Sequence, residues 1–157
     1  MGSEFPEAEF IRRAFTLRQM DLPPHVFETK RSLLRWFALS FCLISERESR
    51  SKILDVLDAL FFLQLSKKSN PTTNDLIVHL ASSKKNVDEK ILRYHLKRLT
   101  DLGLLERRKG CFCFAVDPVA DRSDLVAGFR HSIGKPVQAS LASIESALLK
   151  IGEKYKR

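Results

Sequence analysis

Residues 86 to 116 leave the chain few ways to fold. Apolar side chains fall at Val87, Leu92, Leu96 and Leu99, with Leu104 beyond the glycine at 103, a spacing that gives a helix a single apolar stripe. Asn86 with Glu89 three residues on fits a capping box in which Asn stands for Ser or Thr. Gly103 ends the helix, because glycine enters the left-handed cap conformation without steric cost. Two β-prone runs follow, Leu104 to Arg108 and Cys111 to Val116, separated by Lys109-Gly110. That is a hairpin pattern.

Upstream, Ser51 to Leu65 repeats apolar residues at helical spacing (Ile53, Leu54, Val56, Leu57, Leu60, Phe61, Leu65). Pro71 closes a loop, and Thr72 to Asp75 cap a short helix, Asn74 to Ala81, with Leu76 and Leu80 inward. Residues 51 to 116 therefore read as helix, short helix, polar loop, longer helix, hairpin. Before them, spacing predicts an amphipathic helix over 6–20, a break at Pro23-Pro24, and a helix from about His25 to Ile44. After them, Leu125, Val126 and Phe129 mark a helix stopped by Gly134. Pro136 opens a last helix with a heptad seam at Val137, Leu141, Ile144, Leu148, Ile151 and Tyr155.

The division is then 1–5, whose Gly-Ser-Glu-Phe reads as a cloning scar; 6–45, an N-terminal helical extension; 46–118, the central domain; and 119–157, C-terminal helices. Six Gly and six Pro in 157 residues argue against a loop-rich β fold. The longest apolar run, Leu33 to Ile44, is broken by Arg35 and falls short of the ~18 to 20 residues a membrane span needs. Cys42, Cys111 and Cys113 form an odd set without framework spacing. A reducing intracellular compartment, cytoplasmic, nucleoid or nuclear, is expected, with no membrane association.

Leu92 to Arg108, LRYHLKRLTDLGLLERR, is similar to the end of the recognition helix and the entry to the wing in ArsR-type and MarR-type transcriptional regulators. The matching residues are His95-Leu96, Leu99 and Gly103-Leu104. They form a packing motif and cover well under half the chain. The resemblance implies a mainly α fold: a winged helix-turn-helix with a two-stranded β-hairpin wing, flanked here by N-terminal helices and a C-terminal heptad helix. It also implies regulation of transcription, by analogy of fold.

With Val87, Leu92, Leu96, Leu99 and Leu104 turned toward Leu57, Leu76 and Leu80, the longer helix leaves Lys90, Arg93, Tyr94 and Lys97 facing outward. Long donors three and four residues apart can enter a major groove and reach phosphates and guanine acceptors, and Tyr can meet phosphate or a thymine methyl. Arg107, Arg108 and Lys109 at the hairpin tip suit backbone or minor-groove contact. From Ser83 to Gly110 nine basic residues (Lys84, Lys85, Lys90, Arg93, Lys97, Arg98, Arg107, Arg108, Lys109) face four acids, Asp88, Glu89, Asp101 and Glu106. This net +5 is most of the formal +8 of the whole chain. It concentrates the charge where double-stranded DNA would lie.

The heptad seam is expected to join two copies into a homodimer, spacing two recognition helices along one duplex. Other readings are a protein-protein module in a larger assembly, where the basic face meets an acidic partner, and RNA binding. Cys111 and Cys113 alternate on a strand with Phe112 and Phe114 and read as small buried hydrophobes. No Cys or His lies at a metal-ligand spacing from them, so no metal is expected. His25, His79, His95 and His131 share no spacing, and no phosphate loop, dinucleotide fingerprint or nucleophile elbow occurs. No cofactor and no catalysis are expected; the sequence names no small-molecule effector.

Overall fold

A computed structural model describes residues 5–48 and 51–156, so most of the segment expected to be a scar, Met1 to Glu4, and Ser49, Arg50 and Arg157 lie outside the described residues. Contacts divide the chain into two compact units, 1–49 and 50–157.

In the first unit the helix expected over 6–20 does not form. Pro6–Phe10 makes one 3-10 turn, and the chain is irregular from Ile11 to Pro23. A helix of that length is marginal in water without an apolar surface to cover, and Phe10 and Ile11 are 78% and 75% exposed. Arg18 bonds elsewhere. Its backbone N–H donates to Ser40 O at 2.9 Å, and its Nη1 donates to the carbonyls of Leu39 and Ile44, each at 2.9 Å.

The helix expected over His25–Ile44 is shorter. A 3-10 turn, Pro24–Glu28, gives way at Thr29, whose hydroxyl accepts from Ser32 N at 3.0 Å and caps α1, Lys30–Ser40. Cys42 ends it with φ of 57°, and Leu43 N donates to Ala38 O at 2.8 Å. This is a Schellman closure made without glycine. Arg18 adds a cationic donor to Leu39 O in the last turn and to Ile44 O beyond it, at the negative end of the helix dipole. Trp36 Nε1 donates to Asp21 O at 2.7 Å and holds the irregular segment to α1.

The second unit follows the sequence closely. Lys52–Phe61 forms α2, continued by a π turn to Ser66. Thr73–Ser82 forms α3 behind a full capping box: Thr72 Oγ1 accepts from Asp75 N, and Asp75 Oδ2 accepts from Thr72 N. Glu89–Asp101 forms α4, ending at Gly103 with φ of 82°. Its cap is Asp88, whose carboxylate accepts from Ile91 N at 2.9 Å, not Asn86. An ionised acceptor two residues later makes the stronger bond to the first-turn N–H groups and faces the positive end of the helix dipole.

Leu54, Leu57, Leu76, Leu80, Leu92, Leu96 and Leu99 are at most 2% exposed and make the core between the three helices. Each stabilises by about 1.5–3 kcal/mol through removal from water. Val87, expected with them, is only half-buried because it precedes the Asp88 cap.

Leu105–Arg108 (β1) and Cys111–Phe114 (β2) pair antiparallel, Leu105 opposite Phe114 and Arg108 opposite Cys111. Lys109 and Gly110, at φ of 52° and 78°, make a two-residue turn with both residues left-handed, the type I′ geometry that matches strand twist. The other edge of β2 meets the start of α3: Phe112 N donates to Pro71 O at 2.8 Å, and Thr72 bridges Cys111. At its far end Phe114 N donates to Gln64 Oε1 at 2.7 Å, and the Phe114 ring stacks on Phe61 at 4.0 Å. The hairpin is thus held near its turn to the start of α3, and at its base to Phe61 of α2 and to Gln64 in the π turn that follows.

Gly134 does not stop a helix. Leu125–Phe129 (α5), a π turn over Arg130–Gly134 and Lys135–Tyr155 (α6) follow without a break, and Gly134 itself is helical at φ of −57°. Pro136 brings no N–H to the ladder, and the wider turn just before it accommodates the missing bond. The first part of this helix docks on the core through Gly128, Ile133 (1% exposed) and Ser132, whose hydroxyl donates to Gly103 O at 2.6 Å. No residue of α6 is buried. No helix among the described residues is long and apolar enough to cross a membrane.

Candidate nucleic-acid interface

Helix α4 divides cleanly. Leu92, His95, Leu96 and Leu99 are buried, while Lys90, Arg93, Tyr94 and Lys97 are exposed on the other side. Two turns of one helix therefore present three cations and a phenol to solvent. The Tyr94 ring, 61% exposed, stands edge-on to the His95 imidazole at 5.2 Å.

The cations are not all free. Arg93 donates through Nε and Nη2 to Glu89 Oε1 at 3.0 and 2.7 Å, and Lys97 Nζ meets Asp101 Oδ2 at 2.9 Å. Both pairs are four residues apart and exposed, worth about 0.3–0.5 kcal/mol each. Either can be exchanged for a phosphate at little cost. Asp101 sits in the last turn, where the helix dipole opposes a negative charge, so Lys97 offsets an unfavourable position.

Lys84 and Lys85 stand before α4, and the hairpin leaves from its other end, about 20 Å away along a thirteen-residue helix. Lys84 closes α3 in the left-handed conformation at φ of 58°, with Lys85 N donating to Leu80 O at 2.9 Å. Lys85 Nζ lies 3.8 Å from Asp55 Oδ1 on α2. On the hairpin, Arg107 is exposed with its guanidinium 5.4 Å from the Phe112 ring centroid. Arg108 pairs with Glu106 at 2.9 Å. Lys109 stands at the turn itself.

The exposed donors are thus arrayed in three places, the turn before α4, its outer face and the hairpin tip, with acids interleaved at Glu89, Asp101 and Glu106. Sequence reading counted these acids in the charge balance but did not pair them. The four-residue spacings Glu89/Arg93 and Lys97/Asp101 carry that signal.

His95, beneath Tyr94, has its pKa lowered by burial and secondarily by the Arg98 charge, and its Nδ1 has no hydrogen-bond partner. Cys113 is buried, its thiol pKa raised chiefly by burial and then by the nearby Glu106. Both shifts favour neutral side chains. No group of three or more potential metal ligands occurs among the described residues. The heptad residues Val137, Leu141, Ile144, Leu148, Ile151 and Tyr155 lie on α6, and all but half-buried Val137 are exposed. No protein-family model, no curated protein and no solved structure matches the chain.

Proposed function

We propose that this chain is a winged helix-turn-helix protein that binds double-stranded DNA as a homodimer and regulates transcription without a catalytic role. The observation that carries the reading is the division of α4: apolar residues and His95 buried on one side, Lys90, Arg93, Tyr94 and Lys97 exposed on the other. A helix so divided is held rigidly by its buried side while its outer side reaches base edges and phosphates. The hairpin, tied near its turn to Pro71 and Thr72 and at its base to Gln64, is the wing. It carries Arg107, Arg108 and Lys109 to the flanking backbone or minor groove, and Lys84 and Lys85 meet phosphate at the other end of α4. Three cysteines outside any disulfide suit an intracellular site of action.

The test is a titration of labelled duplex DNA at two salt concentrations with the unaltered chain and with Arg93→Ala/Lys97→Ala. Binding weakens steeply with salt, and the double substitution weakens it further with a shallower salt slope. Binding indifferent to salt, or to the double substitution, overturns the reading.

A second reading has one observation of its own. The interleaved pairs Glu89/Arg93 and Lys97/Asp101 give α4 alternating charge, which suits an oppositely patterned protein surface. On that reading duplex DNA does not bind. RNA as the target would appear as competition by RNA exceeding that by DNA.

A further inference from the structure

Among the described residues no side chain of α6 is buried, and beyond Val137 its seam is open to solvent. Leu141, Ile144, Leu148 and Ile151 are 50–60% exposed and Tyr155 is 86% exposed, all on one seam of α6, a rod of about 31 Å. We propose that this seam packs against the same seam of a second copy, with the two helices antiparallel about a two-fold axis at Ser146. The proposal rests on the homodimer stated above and specifies its helix, orientation and register.

The seam runs 137, 141, 144, 148, 151, 155, so its spacings read the same from either end. Reversed about residue 146, it sets Val137 against Tyr155, Leu141 against Ile151, and Ile144 against Leu148 of the other copy. Every layer then joins two different side chains, the smallest with the largest. A parallel pair would instead stack Tyr155 on Tyr155 and Val137 on Val137. Spacing also assigns Leu141 and Leu148 to heptad position a, and Ile144 and Ile151 to position d. In parallel coils that arrangement turns away from two strands toward higher oligomers.

The flanks point the same way. Heptad positions e and g hold Gln138, Glu145 and Gly152, and Ser140, Ala147 and Lys154. A parallel pair would place Ser140 beside Glu145 and Ala147 beside Gly152, leaving no charge pair to fix its register. Small residues on both flanks let antiparallel helices approach closely.

Anchoring adds a geometric reason. Among the described residues, the buried contacts of this helix lie toward its N-terminal end, at Gly128, Ser132 and Ile133. Antiparallel pairing therefore places the two cores at opposite ends of the rod, a separation of the same order as one DNA turn, ~34 Å. The seam covers roughly 1,000 Å² in total, at the lower edge of stable specific interfaces, so the dimer dissociates on dilution.

One feature of the pairing is unfavourable. Glu145 meets its own copy beside the axis, and like charges so placed repel. Glu145→Gln therefore tightens an antiparallel dimer by about two-fold, and it leaves a parallel one unchanged, where Glu145 faces Ser140.

The experiment uses the full chain carrying Cys42→Ser and Cys111→Ser, without DNA, so its outcome is independent of the DNA reading. Sedimentation equilibrium measures association. Chains with Ile144→Cys and with Leu148→Cys are then oxidised separately and mixed. A concentration-dependent dimer, with disulfide-linked dimers from the mixture but from neither chain alone, supports the proposal. Self-linking of Leu148→Cys overturns the orientation. A monomer, a tetramer, or a dimer that links in no combination overturns the α6 pairing itself.

Discussion

A methyl group added to Gly128 would stand 1.7 Å from the carbonyl oxygen of Ala115, and 2.7 Å from its carbonyl carbon. Backbone meets backbone there. The helix that ends in α6 is seated against the exit of β2 at a distance only glycine permits, so the hairpin and the C-terminal helix share a backbone contact. Ala115 N donates to Leu104 O at 2.9 Å, which fixes the strand side of the contact to the start of β1.

Gly128→Ala is therefore expected to destabilise the protein by about 3 kcal/mol, since backbone cannot rotate aside as a side chain can. Gly152→Ala, with nothing within 4 Å of the added methyl, stabilises the helix by about 0.5–1 kcal/mol. Urea unfolding followed by circular dichroism measures both. Equal effects would remove the close contact from the account.

Glu89→Gln releases Arg93 and takes a negative charge from the face proposed to meet phosphate. Duplex affinity at low salt is expected to rise about two- to five-fold, with stability changed by less than about 0.5 kcal/mol. Fluorescence anisotropy reads the first and thermal unfolding the second. Weaker binding would mean that Glu89 makes a contact of its own, such as acceptance from a cytosine amino group.

The lowered pKa of His95 gives stability a pH dependence of fixed sign. Below its ordinary value of 6.5 the unfolded chain takes up a proton that the folded chain accepts only at lower pH. The stability associated with the neutral, buried ring is complete above 6.5 and is lost as pH falls through the folded-state pKa. Urea midpoints measured at steps from pH 7.5 to 4.5 should fall over that window in the unaltered chain. The fall should be shallower in His95→Met.

Lys109 holds a left-handed conformation that costs a lysine about 1 kcal/mol more than it costs asparagine or glycine. Lys109→Asn, giving the favoured Asn-Gly turn, is expected to raise stability by about 0.5–1 kcal/mol while weakening duplex binding and reducing its salt slope by about 1. Opposite signs in the two measurements would mark a position kept for charge at the expense of the turn. A gain in both would take the hairpin tip out of the DNA contact.

Much of the second unit was legible because its signals are local. Apolar spacing located α2, α3 and α4; Gly103 and Lys109-Gly110 located the chain reversals; and the outward residues of α4 followed from its inward ones. The cap at Asp88 was missed because Asn86 and Asp88 both fit as N-caps, and the choice depends on where Leu92 must enter the core. The two exposed ion pairs of α4 were present as four-residue spacings. That both acids hold the donors the proposed phosphate contact would use becomes apparent only in the folded chain.

The first unit was less legible. Phe10, Ile11, Phe15 and Leu17 have the pattern of an amphipathic helix, but a helix that short forms only against a surface. The chain instead engages Arg18 with carbonyls more than twenty residues away. By itself, the sequence determined which segments of residues 51–116 are helical, where they turn and which side chains are apolar together, since those depend on interactions within a few residues. Only the tertiary structure decided that Arg18 serves the end of α1, that Gly128 and not Gly134 is the glycine that matters, and that α6 runs on past its support. Each depends on which distant backbone comes within contact distance once the chain has closed on itself, and residue spacing carries no record of that.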